Sequence, residues 1–367
     1  MRCELESEGV RGGPQGGLRR AVGATGGVPA RDRVHVDQHC VLGGAEDRGE
    51  RPRHEQRGEE VDLHGVTEIV VSDVEQAGGR REAPLELREV TEPVVGDHDV
   101  LVAADGTTYA YRELCPTGGI PVVFFVHLAA TLDNWDPRII DPIAQKRHVI
   151  AFDNKGVCGS SGTVPGTIEE AADDAYAFIR ALGHDTIDVF AFSLGGMIAQ
   201  DLIVKYPQLV RKLVLTGTGP RGGKDIDKVV ATTYRDNLRA TVTRSDPKEF
   251  RFFNRNVVRK RAGKAFVERL EDRTIDRDAN VSISAFRTQL KAIQKFGRSQ
   301  PSNLSTFTQP TLIANGDNDR MLPTALSEDL HRRIRGSELI IYPNAGHGAI
   351  FQFHDDFAAA AVRLLIP

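Results

Sequence analysis

Ile187-Asp188-Val189-Phe190-Ala191-Phe192-Ser193-Leu194-Gly195-Gly196-Met197-Ile198-Ala199-Gln200 spells an apolar strand, a sharp corner and the start of a helix. One serine, Ser193, sits at that corner. A turn this tight forces the serine into strained backbone angles and lifts its hydroxyl clear of the sheet. Small residues two before and two after the serine let strand and helix approach closely. The first of these positions holds Ala191 in place of the usual glycine, so the pentapeptide is A-x-S-x-G. Taken alone, it reads equally as an ordinary strand-helix junction with Ser193 as an N-cap.

The flanking sequence sets this corner in a longer alternation. Val100 to Ala104, the turn Asp105-Gly106 and Thr107 to Leu114 predict a hairpin. The continuous apolar run Pro121 to Val126 predicts a strand buried on both faces, and His148 to Asp153 another. Thr167 to Leu182 predicts a helix, with Thr167 and Glu170 forming a capping box. The helix Leu194 to Tyr206 and the strand Leu209 to Leu215 follow. Strand and helix alternating in this way imply an α/β fold with a mostly parallel, doubly wound sheet.

The alternation stops at Gly217-Thr218-Gly219-Pro220. Up to Thr306 the chain is polar and helical, as in Val229 to Ala240, Ala262 to Asp272 and Ser282 to Phe296. A strand at Pro310 to Asn315, a helix at Pro323 to Ile334, a strand at Glu338 to Tyr342 and a helix at Asp355 to Leu365 then resume it. The expected organisation is a core of residues 99–219 and 307–367, with 220–306 as a helical lid over the carboxyl ends of the strands.

Three further groups fall at strand ends. His127-Leu128-Ala129-Ala130 follows one strand, Asn315-Gly316-Asp317-Asn318-Asp319 a second, and Pro343-Asn344-Ala345-Gly346-His347-Gly348 a third. Serine, aspartate and histidine thus occur in that chain order, each near a strand's carboxyl end. A serine hydroxyl attacks only when a neutral imidazole takes its proton, and a carboxylate must orient that imidazole. His347 is the expected base and Ser193 the nucleophile. For the acid, Asp317 competes with Asp319.

Together with Tyr109 to Leu114, Asp153 to Ser161 and Pro323, these groups make residues 99–367 resemble a lidded serine α/β hydrolase. That broad group includes carboxylesterases, enol-lactonases, carbon-carbon bond hydrolases and cofactor-free haloperoxidases. The resemblance implies hydrolysis of an ester or related acyl bond of a small molecule through an acyl-enzyme. Perhydrolysis or haloperoxidation, carbon-carbon or lactone cleavage, and ligand sensing without turnover stand as alternatives. Family spacing favours Asp319 as the acid. Leu194 and, two residues beyond His127, Ala129 are implied as backbone donors to the oxyanion. Leu128 replaces the usual glycine after His127, and Lys155 stands where the family commonly has arginine.

No cofactor or metal is expected, because the histidines and carboxylates lack ligand spacing. Cys3, Cys40, Cys115 and Cys158 form no C-x-x-C pair. Residues 1–100 carry a net charge of -8 and the remainder +4, and neither half reads as nucleic-acid binding. No apolar run is long enough for a membrane span or a signal-peptide core, so a cytoplasmic location is expected. Oligomeric state is left open. The first aromatic residue is Tyr109 and the first lysine Lys146. Residues 1–98 therefore lack the bulky side chains of a core and are expected to be a disordered or spurious extension.

Overall fold

The computed structural model describes residues 99–115, 118–254, 257–274 and 277–366. The expectations for residues 1–98, including a short strand at Val66 to Val71, lie outside the described residues. Among those described, eight strands form one sheet: β1 (Asp99–Val102), β2 (Thr108–Leu114), β3 (Val122–Phe125), β4 (Val149–Phe152), β5 (Ile187–Phe192), β6 (Val210–Thr216), β7 (Thr311–Gly316) and β8 (Glu338–Tyr342). Their order is β1-β2-β4-β3-β5-β6-β7-β8. The hairpin β1-β2 pairs antiparallel onto β4, and every other pairing is parallel.

The central strands are apolar because both of their faces are covered. Along β5, Val189 and Ala191 join one core cluster while Phe190 and Phe192 join the other, the period-two alternation of a pleated strand. On the first face lie α2 (Ile168–Ala181) and α3 (Leu194–Lys205), and on the second α1 (Pro137–Ala144) and α10 (His354–Leu365). Phe124 stacks on Phe190 at 4.5 Å between ring centroids, and Trp135 meets both rings edge-on. The capping box of α2 is complete: Thr167 accepts from Glu170 N, and Glu170 accepts from Thr167 N.

Between β6 and β7 the chain inserts α4 (Val229–Thr243), α5 (Pro247–Phe252), α6 (Val257–Glu271) and α7 (Ile283–Arg298). The short helix α5 is not foreseen from sequence, since six residues are too few to display a 3.6-residue period. Its start is nonetheless encoded, by Asp246 accepting from Lys248 N and by Pro247 in the first turn. The same signals, Asp136 and Pro137, open the equally unforeseen α1. Asp136 is fully buried and also accepts from Arg269 of α6 at 2.7 Å, tying the insertion to the sheet. After β7 come α8 (Thr324–Arg333) and the one-turn α9 (Ala349–Gln352). Lys155 bridges Asp105 and Asp174 at 3.0 and 3.1 Å, joining the β1-β2 turn to α2. No helix of the described residues is long and apolar enough to cross a membrane.

Candidate active site

At the carboxyl end of β5, Ser193 adopts φ +57° and ψ -114°, a conformation that L-residues rarely hold. Neighbouring strands hold it there. Its N-H donates to Thr216 O at 2.9 Å, and its carbonyl accepts from Gly196 N at 3.0 Å and from the Thr218 hydroxyl at 2.9 Å. A Cβ on Gly195 would lie 2.1 Å from Phe125 O, so glycine is obligatory at that position. Ala191, by contrast, fits its methyl into the fully buried core. The Ser193 side chain caps nothing in α3, which removes the N-cap reading.

Ser193 Oγ lies 3.0 Å from His347 Nε2, and His347 Nδ1 lies 2.7 Å from Asp319 Oδ2. A carboxylate only accepts, so Nδ1 carries the ring proton and Nε2 presents its lone pair to the serine. Asp319 Oδ1 accepts two backbone amides, Met321 N at 2.7 Å and Leu322 N at 2.9 Å, which set the carboxylate's direction. All three side chains are buried. Asp317 faces elsewhere: its carboxylate accepts from Asn344 N and Ala345 N and shapes the loop that carries His347.

The insertion reaches this loop as well. Gly348 N donates to Phe252 O at 2.8 Å, and a Cβ on Gly348 would come within 2.6 Å of the Phe252 Cβ. The end of α5 is thus stitched to the histidine loop, with the Phe252 ring 5.7 Å from that of His347.

The two expected oxyanion donors differ in state. Leu194 is the first residue of α3, where an amide has no acceptor within the helix and the dipole is positive. Ala129 N-H is already engaged, donating to Gln289 Oε1 of α7 at 2.9 Å. In this loop the left-handed angle falls on Ala129, at φ +55°, while Leu128 buries its side chain among the core residues. Glycine is therefore not required after His127. Gln289 is missed by sequence reading, although a polar residue on the buried stripe of Ala285, Leu290, Ile293 and Phe296 was the available signal.

His127 is buried with its Nδ1 2.9 Å from Leu128 O, so Nδ1-H donates there and Nε2 is left without a partner. Burial is the main force pushing its pKa down, to about 3, and the ring is neutral. A cleft opens over Ser193, His127 and His347. Leu128, Met197, Val229, Ile293, Met321 and Leu322 make most of its wall apolar, and Arg251 of α5 also lines it.

Asp153, Cys158 and Asp278 bring ligand atoms within 4.8 Å of one another. Asp153 spends one oxygen on Leu132 N and the other on Gly159 N. Burial, followed by the Asp278 charge, pushes the Cys158 thiol up to about 12. His354 is half-buried with Nε2 2.7 Å from an Arg138 nitrogen.

A family model described as alpha/beta hydrolase fold matches residues 120–353. An alpha/beta hydrolase fold protein from Chitinophaga pinensis superposes with a TM-score of 0.69 at 36% identity, over 74% of this chain and 98% of that one. A pimeloyl-[acyl-carrier protein] methyl ester esterase of Neisseria meningitidis is 28% identical over 58% of this chain and 66% of its own length. A proline iminopeptidase of Pestalotiopsis fici is 24% identical over 69% and 94%.

Proposed function

The chain belongs to the alpha/beta hydrolase fold family, and on that premise we propose that it is a serine hydrolase cleaving an ester or related acyl bond of a small molecule. The observation that carries this reading is the hydrogen-bonded line from Asp319 through His347 to Ser193, ending under an apolar cavity. Ser193 Oγ attacks the acyl carbon as His347 Nε2 takes the hydroxyl proton, and Asp319 holds the resulting imidazolium in place. The carbonyl π electrons move onto oxygen, and that oxyanion is met by Leu194 N-H. Ala129 N-H completes the pair once the acyl oxygen displaces the Gln289 carboxamide. Collapse of the tetrahedral adduct expels the leaving group, which receives the proton from His347. Water, activated by the same imidazole, then releases the acid.

The 220–306 insertion serves as the lid, supplying Val229, Arg251, Phe252 and Ile293 to the cavity wall. Relatives that include an esterase support acyl chemistry of this class.

Labelling with a fluorophosphonate tests the nucleophile. Intact-mass analysis is expected to show one adduct, located on the peptide carrying Ser193 and absent from Ser193→Ala. The same substitution lowers p-nitrophenyl ester hydrolysis by about four orders of magnitude or more. Retention of the parent rate by Ser193→Ala overturns the assignment.

A further inference from the structure

Among the described residues, Arg251 is the one arginine or lysine lining the cavity over Ser193, and no carboxylate lines it. Its surroundings leave the guanidinium undercompensated. The carboxylates that act on it most strongly, Asp246 and Asp236, each have another cation: Lys248 at 2.8 Å from Asp246 and Arg320 at 3.3 Å from Asp236. Arg251 Nη2 donates to Asn237 Oδ1, a neutral acceptor. Its Nε is buried without a partner. The nearest ring, Phe286, lies 6.0 Å from the guanidinium carbon, at the limit of a cation-π contact. A guanidinium removed from water and given neither an anion nor a full set of acceptors is costly unless a ligand supplies them. The neutral His127 lies on the same wall and adds no second positive charge.

A structural role accounts for less of this. As a packing residue, Arg251 would need only its methylene stem against Phe286 and the bond to Asn237, and a neutral side chain would serve as well. The planar fork instead suits a carboxylate, which accepts two parallel N-H bonds.

We propose that Arg251 is a specificity-determining residue that selects substrates carrying a carboxylate in the acyl portion, so that the enzyme acts on half-esters or carboxylate-bearing lactones in preference to neutral esters. This deepens the serine-hydrolase reading and rests on the cavity over Ser193 being the acyl site. Among the described residues no other arginine or lysine lines the cavity, so Arg251→Gln is expected to weaken the preference.

The test is calorimetric, on the full-length Ser193→Ala protein, which binds without turnover. Monomethyl glutarate, an anion, is compared with dimethyl glutarate, its neutral counterpart of similar shape. The anion is expected to bind about tenfold tighter or more, with the gap narrowing as salt is added. In Ser193→Ala combined with Arg251→Gln the ratio is expected to fall to about twofold or less, and with Arg251→Lys to be partly retained, because lysine keeps charge but loses the fork. Equal affinities for the two compounds, no measurable binding of either, or an undiminished ratio in the Arg251→Gln protein each overturn the proposal. If Arg251→Gln does not fold, the comparison in the parent Ser193→Ala protein and the Arg251→Lys ratio decide it. Because these readouts need no catalysis, loss of the anion preference leaves the Ser193 labelling result standing. Failure of labelling likewise leaves the binding ratio interpretable.

Discussion

β3 and β5 run side by side, paired through Phe125 and Ala191, and just beyond each strand end a non-glycine residue sits in the left-handed region: Ala129 at φ +55° and Ser193 at φ +57°. The two corners are held by different parts of the molecule. The serine corner is held from within the sheet, by Thr216 O, the Thr218 hydroxyl and the close approach of Gly195 to Phe125 O. The Ala129 corner takes its hydrogen-bond partner from the insertion, 160 residues away in Gln289. Strain in the first is set by the permanent core. In the second it depends on a side chain from the element that must admit substrate. On the proposed mechanism, the sheet alone would hold Ser193 in place, whereas the Ala129 N-H would reach an oxyanion only once its contact with Gln289 breaks.

The largest effect should come from breaking the serine corner. Gly195→Ala drives a methyl into Phe125 O and is expected to cost about 3 kcal/mol of stability, read as a fall in the denaturant midpoint. A melting curve unchanged from the parent would show that β3 and α3 can separate freely.

His127 supplies an intermediate effect on the other corner. Its folded pKa is depressed from 6.5 to about 3 by burial, so the unfolded chain binds the extra proton at mildly acidic pH. The stability this provides is fully present above pH 6.5 and is lost as pH falls toward 3. Between pH 7 and about pH 5 the loss is on the order of 2 kcal/mol for this group. Unfolding measured across that range should lose part of its slope in His127→Gln; an identical slope would mean that other groups carry it.

The smallest effect concerns Gln289. Gln289→Leu keeps the bulk but removes the acceptor, freeing Ala129 N-H before substrate arrives. Since a neutral hydrogen bond is worth about 1 kcal/mol, kcat/KM for an activated ester is expected to rise by up to about fivefold. A fall in kcat with KM unchanged would reverse the reading and make the Gln289 contact a support for the loop.

The contrast also explains what could be read in advance. β5, α2 and the capping box follow from local patterns, namely a buried apolar run and a Thr-x-x-Glu start, and the structure reproduces them to within a residue. Ser193, His347 and Asp319 were legible as positions because each lies shortly after a strand's carboxyl end, and parallel strands deliver those ends to one edge of the sheet. The choice of Asp319 over Asp317 as the neighbour of His347 was not legible from residue type, since two aspartates two positions apart are chemically equivalent until one is claimed by Asn344 N and Ala345 N. α1 and α5 escaped because a short helix shows caps but little periodicity.

By itself the sequence determined the alternation of elements, the obligatory small residue at Gly195 and the order of serine, acid and histidine, all of which depend on near neighbours in the chain and on side-chain period. Only the tertiary structure decided that Gln289 takes the Ala129 amide, that Phe252 binds the histidine loop and that Arg251 joins the cavity wall. Each of these joins the insertion to a distant strand end, and such contacts depend on how the helices between β6 and β7 fold back over the sheet, which no local pattern encodes.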